Sequence, residues 1–200
     1  AQIIDGTNIA KKIRQNVQAS IVQHNLSPQL DVILVGDSTA SKTYIAQKQA
    51  ACGEVGITSN LHHLPESTSE SELEELIATL NHNPQTTGIL LQLPLPKHLD
   101  ADNFIEKIKP EKDVDGFHPY NLGRLAQRRP SLRPCTPYGV MQLLQSMQIE
   151  TTGKNAAVIG ASNIVGRPMA LELLLAKSTV TICHKFTNDL EKIINNSDIL

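Results

Sequence analysis

Apolar residues at Ile9, Ile13, Val17 and Ile21 recur every four positions, and that spacing predicts a helix over Thr7–His24 with Thr7 or Asn8 as its cap. A turn at Ser27-Pro28 leads into the run Asp31 to Val35, read as a strand. The small-residue loop after it passes straight into a second helical pattern that Gly56 closes. Residues 57 to 64 alternate loosely as a strand. Residues 67 to 80 form an acidic helix with Leu73, Leu76, Ile77 and Leu80 inward and Ser69 or Ser71 near its cap. The near-continuous apolar run Thr87 to Leu91, followed by Gln92 and closed off by Pro94 and Pro96, predicts a buried central strand. A short helix over 101–108 and a polar loop over 110–117 come next.

From Asn121 to Pro137 the chain carries four arginines, three prolines and no clear period, and is read as an irregular connection. Thr136 then caps, and Pro137 opens, a helix over 138–147. Beyond it a strand over 156–159 meets a small-residue turn, a helix over 169–176 and a second strand over 179–184, which is a βαβ unit. A third strand begins at Asp198. Strands and helices alternate throughout, so the fold class is α/β: an N-terminal α/β domain with a linker over 1–137, and an incomplete Rossmann domain over 138–200.

Composition supports this picture. Aromatics make up 3% of the residues and Trp is absent, so Ala, Ile, Leu and Val must form the core, as suits parallel sheets covered by helices. The formal net charge of -2 gives no reason to expect a nucleic acid partner. Cys52, Cys135 and Cys183 lie far apart with no CxxC spacing and read as reduced thiols of a cytoplasmic protein. No apolar run approaches the length of a membrane span, and the first thirty residues lack the apolar core of a leader.

The candidate chemistry sits on the first strand–loop–helix. Tyr44 and Lys48 are four residues apart, so an aromatic plate and an amine share one helix face. A half-buried Lys there loses solvation and can trade protons near neutral pH; the plain alternative is a surface Lys beside a packing Tyr. Gln92 ends the apolar run on the side where ligands bind in α/β sheets, and its amide is either satisfied by backbone or holds a functional group. Of Asp113 and Asp115, one is expected to order the loop and the other to receive a ligand's N–H groups, against two solvated acids. The turn Gly160 to Gly166 faces a helix N-terminus, as a pyrophosphate site does, although Ser162 stands where a second Gly would be and Gly166 falls one residue late. His184 and Lys185 occupy the end of the second strand, where a carboxylate would hold the ribose of NAD. A cation there suits a 2′-phosphate.

Five blocks in order, VGDSTASKTYIAQK at 35–48, QLPLP at 92–96, KDVDG at 112–116, PCTP at 134–137 and GASNIVGRP at 160–168, resemble the bifunctional methylenetetrahydrofolate dehydrogenase/cyclohydrolase family. The resemblance implies NADP-dependent oxidation of 5,10-methylenetetrahydrofolate and hydrolysis of the methenyl product to 10-formyltetrahydrofolate, a step of one-carbon metabolism that serves purine biosynthesis. It implies that tetrahydrofolate derivatives bind with Tyr44 on the rings, Lys48 as general acid/base, Gln92 orienting Lys48 and Asp115 on the pterin edge. NADP is expected at Gly160, Ala161, Ser162, Gly166 and Lys185, and the protein is expected to form a homodimer through its second domain. The family commonly has Arg at the place of Ala161 and Ser at that of Lys185, so Lys185 is the cation left to read the phosphate. Family members continue past residue 200, and the chain is expected to be a truncated form. A noncatalytic folate-binding fragment, or another Rossmann dehydrogenase for a small substrate, are the alternatives.

Overall fold

A computed structural model describes residues 3–200, which divide into two compact units, Asp5–Val114 and one made mainly of Asp115–Leu200. The first unit opens with α1, Gly6–Gln23. Its cap is Asp5, whose carboxylate accepts the N–H of Asn8 at 3.0 Å, rather than Thr7 or Asn8 as expected. An ionised carboxylate both takes an unpaired N–H and meets the positive end of the helix dipole, which a hydroxyl or an amide does less well. Next come β1 (Gln29–Val35), α2 (Thr39–Val55), β2 (Thr58–Leu64), α3 (Glu70–His82), β3 (Gly88–Leu91) and α4 (Ala101–Lys107). Gly56 ends α2 in the left-handed conformation, as its sequence position suggested. Ser69 caps α3 through a reciprocal box with Glu72.

The three strands are parallel in the order β2-β1-β3. β1, not β3, is therefore the central strand, a correction to the reading of residues 87 to 91. β3 is fully buried all the same, because its outer side is covered by the segment after α4: Ile89 donates to the carbonyl of Lys112 at 2.7 Å and bridges Asp113. Ile45 of α2 packs on Val32, Leu34 and Leu90, so the helix that carries Tyr44 and Lys48 is seated directly on β1 and β3.

In the second unit, α5 (Pro119–Ala126) occupies part of the stretch read as irregular. Pro119 takes the first turn and the His118 ring nitrogen accepts the N–H of Tyr120, an opening the sequence carried but a two-turn helix is too short to announce by period. α6 runs Cys135–Ser146, starting before the expected position. Pro134 is its N-cap without a side-chain bond, so Thr136 lies inside the helix rather than capping it. β4 (Asn155–Ile159), α7 (Gly166–Leu175) and β5 (Thr179–Cys183) form the expected parallel βαβ unit, followed by α8, Leu190–Asn195. Ile199 pairs with Ala156 on the free side of β4, and Ala157 donates to its carbonyl at 2.9 Å. The first, second and third strands of this unit thus stand in the order 2-1-3, the same as in the first.

α7 is tied down by a buried ion pair. Glu172 is 1% exposed and accepts both Nε and Nη2 of Arg133, whose guanidinium also lies 4.2 Å from the centroid of the Tyr138 ring. That bidentate partner holds the Arg133 pKa above its usual value.

Candidate active site

In a parallel sheet with strand order 2-1-3, α2 leads from β1 to β2 and α3 leads from β2 back past β1 to β3, so the strand order reverses between β1 and β3 and a crevice opens beyond their carboxyl ends. β1 ends at Val35 and β3 at Leu91, so the loop into α2 and the residue Gln92 meet there. The main chain of Gln92 still follows the sheet, donating to Ile33 at 2.9 Å. Its side-chain NH2 donates to the Leu93 carbonyl at 2.7 Å. That bond orients the amide and turns its oxygen toward α2, where Lys48 Nζ donates to Gln92 Oε1 at 3.2 Å. Lys48 is half-buried. Tyr44, one turn earlier, is 61% exposed and offers a free ring face to a ligand. Tyr44, Lys48 and Gln92 are therefore brought together in one unit.

The loop that launches α2 is fastened by residues the sequence reading did not single out. Gly36 donates its N–H to Leu64 at 2.9 Å, and its carbonyl accepts Nε2 of His63 at 2.9 Å. Asp37 pairs with Lys42 at 2.5 Å, and that ammonium holds the carboxyl below its usual range. Ser38 caps the helix through the N–H of Ser41. No sequence pattern marks His63, because its partner is a backbone carbonyl 27 residues away.

Asp113 is 3% exposed and lies on the β3 side of its loop, while Asp115 is half-buried and opens the second unit. The backbone after Asp115 is closely packed: a Cβ on Gly116 would lie 2.5 Å from the carbonyl carbon of Arg133 and 2.6 Å from the nitrogen of Pro134. Lys112 donates to the carbonyls of Leu80 and Asn83 at the end of α3, so it acts as a C-terminal cap rather than facing outward. Its burial pulls the ammonium pKa below the usual value.

In the second unit the turn after β4 has the close strand–helix approach of a Rossmann turn. A Cβ on Gly166 would come 2.1 Å from the Gly160 carbonyl oxygen, so only glycine lets α7 approach the strand this closely. Gly166 thus fills the role of the third glycine in a Rossmann turn despite its shifted place. Ser162, exposed, accepts the N–H groups of Val165 and Gly166 at 3.2 Å each, which uses the acceptor sites of its hydroxyl and leaves the O–H to donate. Ala161 is half-buried beside it. Lys185 is exposed just past β5, its ammonium 4.9 Å from the centroid of the Phe186 ring.

Family models agree with this division of labour. Residues 4–115 match the catalytic domain of tetrahydrofolate dehydrogenase/cyclohydrolase, and residues 134–200 match the NAD(P)-binding domain of the same enzymes. The chain belongs to the tetrahydrofolate dehydrogenase/cyclohydrolase family. A relative within the family, the bifunctional protein FolD of Legionella pneumophila (strain Corby), is 55% identical over 204 residues that span all of this chain and 72% of the relative. The crystal structure of the bifunctional FolD enzyme from Campylobacter jejuni superposes with a TM-score of 0.95 at 46% identity, covering 98% of this chain and 71% of that one. The FolD of Trypanosoma brucei, solved with NADP cofactor and an inhibitor, superposes with a TM-score of 0.93 at 34% identity over 99% of this chain and 70% of that one. Among the described residues, no group of three or more His, Cys, Asp or Glu side chains is placed to hold a metal ion.

Proposed function

We propose that this protein oxidises 5,10-methylenetetrahydrofolate to the methenyl form with NADP and hydrolyses that product to 10-formyltetrahydrofolate, with Lys48, Tyr44, Gln92 and Asp115 serving the folate. The observation that carries the reading is the contact of Lys48 Nζ with Gln92 Oε1, one helical turn from an exposed Tyr44, in a chain of this family. The functional division we propose is a folate-binding catalytic part with its linker through residue 137 and a dinucleotide-binding part from 138; matches over residues 4–115 and 134–200 support two such parts.

Ring opening consumes a water. Two protons must leave that water, one as it adds to the methenyl carbon and one as the carbonyl forms; one of them is released and the other must reach the ring nitrogen as its bond to that carbon breaks. Lys48 carries it, since the amine can hold a proton at Nζ while the Gln92 oxygen fixes its direction. Tyr44 supplies an apolar wall for a planar ring system, and Asp115 supplies a carboxylate for the N–H groups on its edge. A bound NADP would supply the hydride acceptor for oxidation of the one-carbon unit. For this chain's own part, Gly166 permits the close strand–helix approach, Ser162 offers its O–H, and Gly160, Ala161 and Lys185 border the same turn.

Replacing Lys48 by Met is expected to lower methenyltetrahydrofolate hydrolysis by about 10²-fold or more, the usual scale for a lost general acid/base, while folate binding stays measurable. Hydrolysis at the wild-type rate in that variant would show that Lys48 is not the proton carrier. We further place the protein in the cytoplasm, as a homodimer that supplies formyl units for purine biosynthesis. The buried thiols of Cys52 and Cys183 suit a reducing compartment, and no helix among the described residues is long and apolar enough to cross a membrane.

A further inference from the structure

The backbone donors that usually receive a dinucleotide's pyrophosphate at the start of a Rossmann helix are already engaged here. Val165 and Gly166 give their N–H groups to Ser162 Oγ, and Arg167 gives its own to the Ser162 carbonyl at 3.0 Å. The charge for an incoming phosphate must then come from a side chain. Arg167 is the second residue of α7, and side chains at that position lean back over the preceding turn. Its Nε donates to the Ala161 carbonyl at 3.1 Å, which lays the guanidinium along the turn with its two terminal nitrogens directed away from that bond. Arg167 is exposed, and among the described residues no carboxylate stands within ion-pair distance of it. A cation at a helix N-terminus is disfavoured by the helix dipole, and the first turn of α7 holds no acidic residue to offset it. An anion seated over the turn removes that penalty.

We infer that Arg167 is the residue that binds the pyrophosphate of the dinucleotide, working with the Ser162 hydroxyl, while Lys185 serves the ribose end. This rests on the NADP reading above. It separates two roles: a pyrophosphate is common to NADP and NAD, so Arg167 sets affinity for both, whereas only a group at the 2′-phosphate sets the preference between them. A guanidinium is suited to the first role because its planar fork matches two phosphate oxygens.

Titration of wild type, Arg167→Gln and Arg167→Lys with NADPH and with NADH, followed by nicotinamide fluorescence, tests this directly. The Gln variant is expected to bind both about tenfold more weakly with their ratio unchanged, and the Lys variant, which keeps charge but not the fork, to fall between. Without dinucleotide the Gln variant is expected to melt no lower than wild type, because it removes a cation from the helix N-terminus, and saturating NADPH is expected to raise its Tm by less. Unchanged affinities would make Arg167 a solvated surface residue and overturn the assignment. A loss confined to NADPH would move the contact to the 2′-phosphate and overturn it equally. Failure of the wild type to bind either dinucleotide would overturn the cofactor reading itself, a result distinguishable from both.

Discussion

Lys185 rests its ammonium against the Phe186 ring, an exposed cation–π contact of the kind worth about 0.5–1 kcal/mol. A 2′-phosphate carries nearly two negative charges and accepts charge-assisted hydrogen bonds, so it draws the ammonium off the ring at little cost. NAD presents only a hydroxyl at the same place and would want a carboxylate; the residues following β5 are His184 and Lys185. NADP is therefore expected to be preferred over NAD by about 10-fold, the scale of one such bond. Comparing kcat/KM for the two cofactors in wild type and Lys185→Ser checks this. An unchanged ratio in the variant would remove Lys185 from the phosphate site.

At the scale of elements, one buried carboxylate links the pieces of the first sheet. Asp31 on β1 is 1% exposed and accepts hydrogen bonds from Gln29, from Asn60 and His62 of β2, and from Thr86 ahead of β3. Burial pushes its pKa up, but the bonds from His62, Gln29, Thr86 and Asn60 together hold it below the ordinary carboxylate value. A depressed folded pKa means that the unfolded chain takes up the proton first as pH falls. The stability Asp31 contributes is then complete above the unfolded value, near pH 4, and is lost below it as pH drops through the folded value. Asp31→Asn is expected to cost about 1–3 kcal/mol at pH 7 in urea unfolding, and the gap to wild type to narrow below about pH 4. A gap of the same size at pH 3 would contradict this account.

Those same elements show what the sequence encodes and what it does not. Helices with a local signal, α1 with its four-residue apolar period, α2 with Gly56 as its stop and α3 with Ser69 as its cap, are legible because each signal lies within or beside the helix. The eight residues of α5 are too few to show a period, and the His118 cap acts through a ring nitrogen, a less common N-cap than a hydroxyl or carboxylate. The edge position of β3 is hidden because apolarity reports burial, not neighbours, and segment 112–114 buries that edge. The shared face of Tyr44 and Lys48 follows from helix geometry alone. The meeting of Lys48 with Gln92, 44 residues away, depends on strand order; the general rule for α/β crevices and the resemblance to the family are what anticipate it. The glycine turn departs from the usual spacing because the Ser162 side chain takes over donors that a ligand otherwise receives, a substitution visible only in three dimensions.

At the scale of the whole molecule, the second unit leaves more apolar surface uncovered than a lone α/β unit needs. Ile159 is 51% exposed, Ile182 42% and Phe186 74%, on or next to β4 and β5, whereas the core beneath α7 is closed by Ala156, Met169 and Leu173. The strand register puts Ile159 on one sheet face and Ile182 on the other, so exposed apolar surface flanks the end of the sheet on both sides, and surface of this kind is what interfaces cover. A homodimer formed through this unit would cover it with an equivalent patch, as a two-fold interface requires. Sedimentation of the 200-residue chain is therefore expected to give twice the 21.9 kDa chain mass at micromolar concentration. Ile182→Glu, which places a charge in the patch without touching the buried pair Arg133–Glu172, is expected to return it to 21.9 kDa with the far-UV CD spectrum retained. A monomer in the wild type would refute the dimer for this chain, and a dimer that survives Ile182→Glu would move the interface off the β4–β5 sheet.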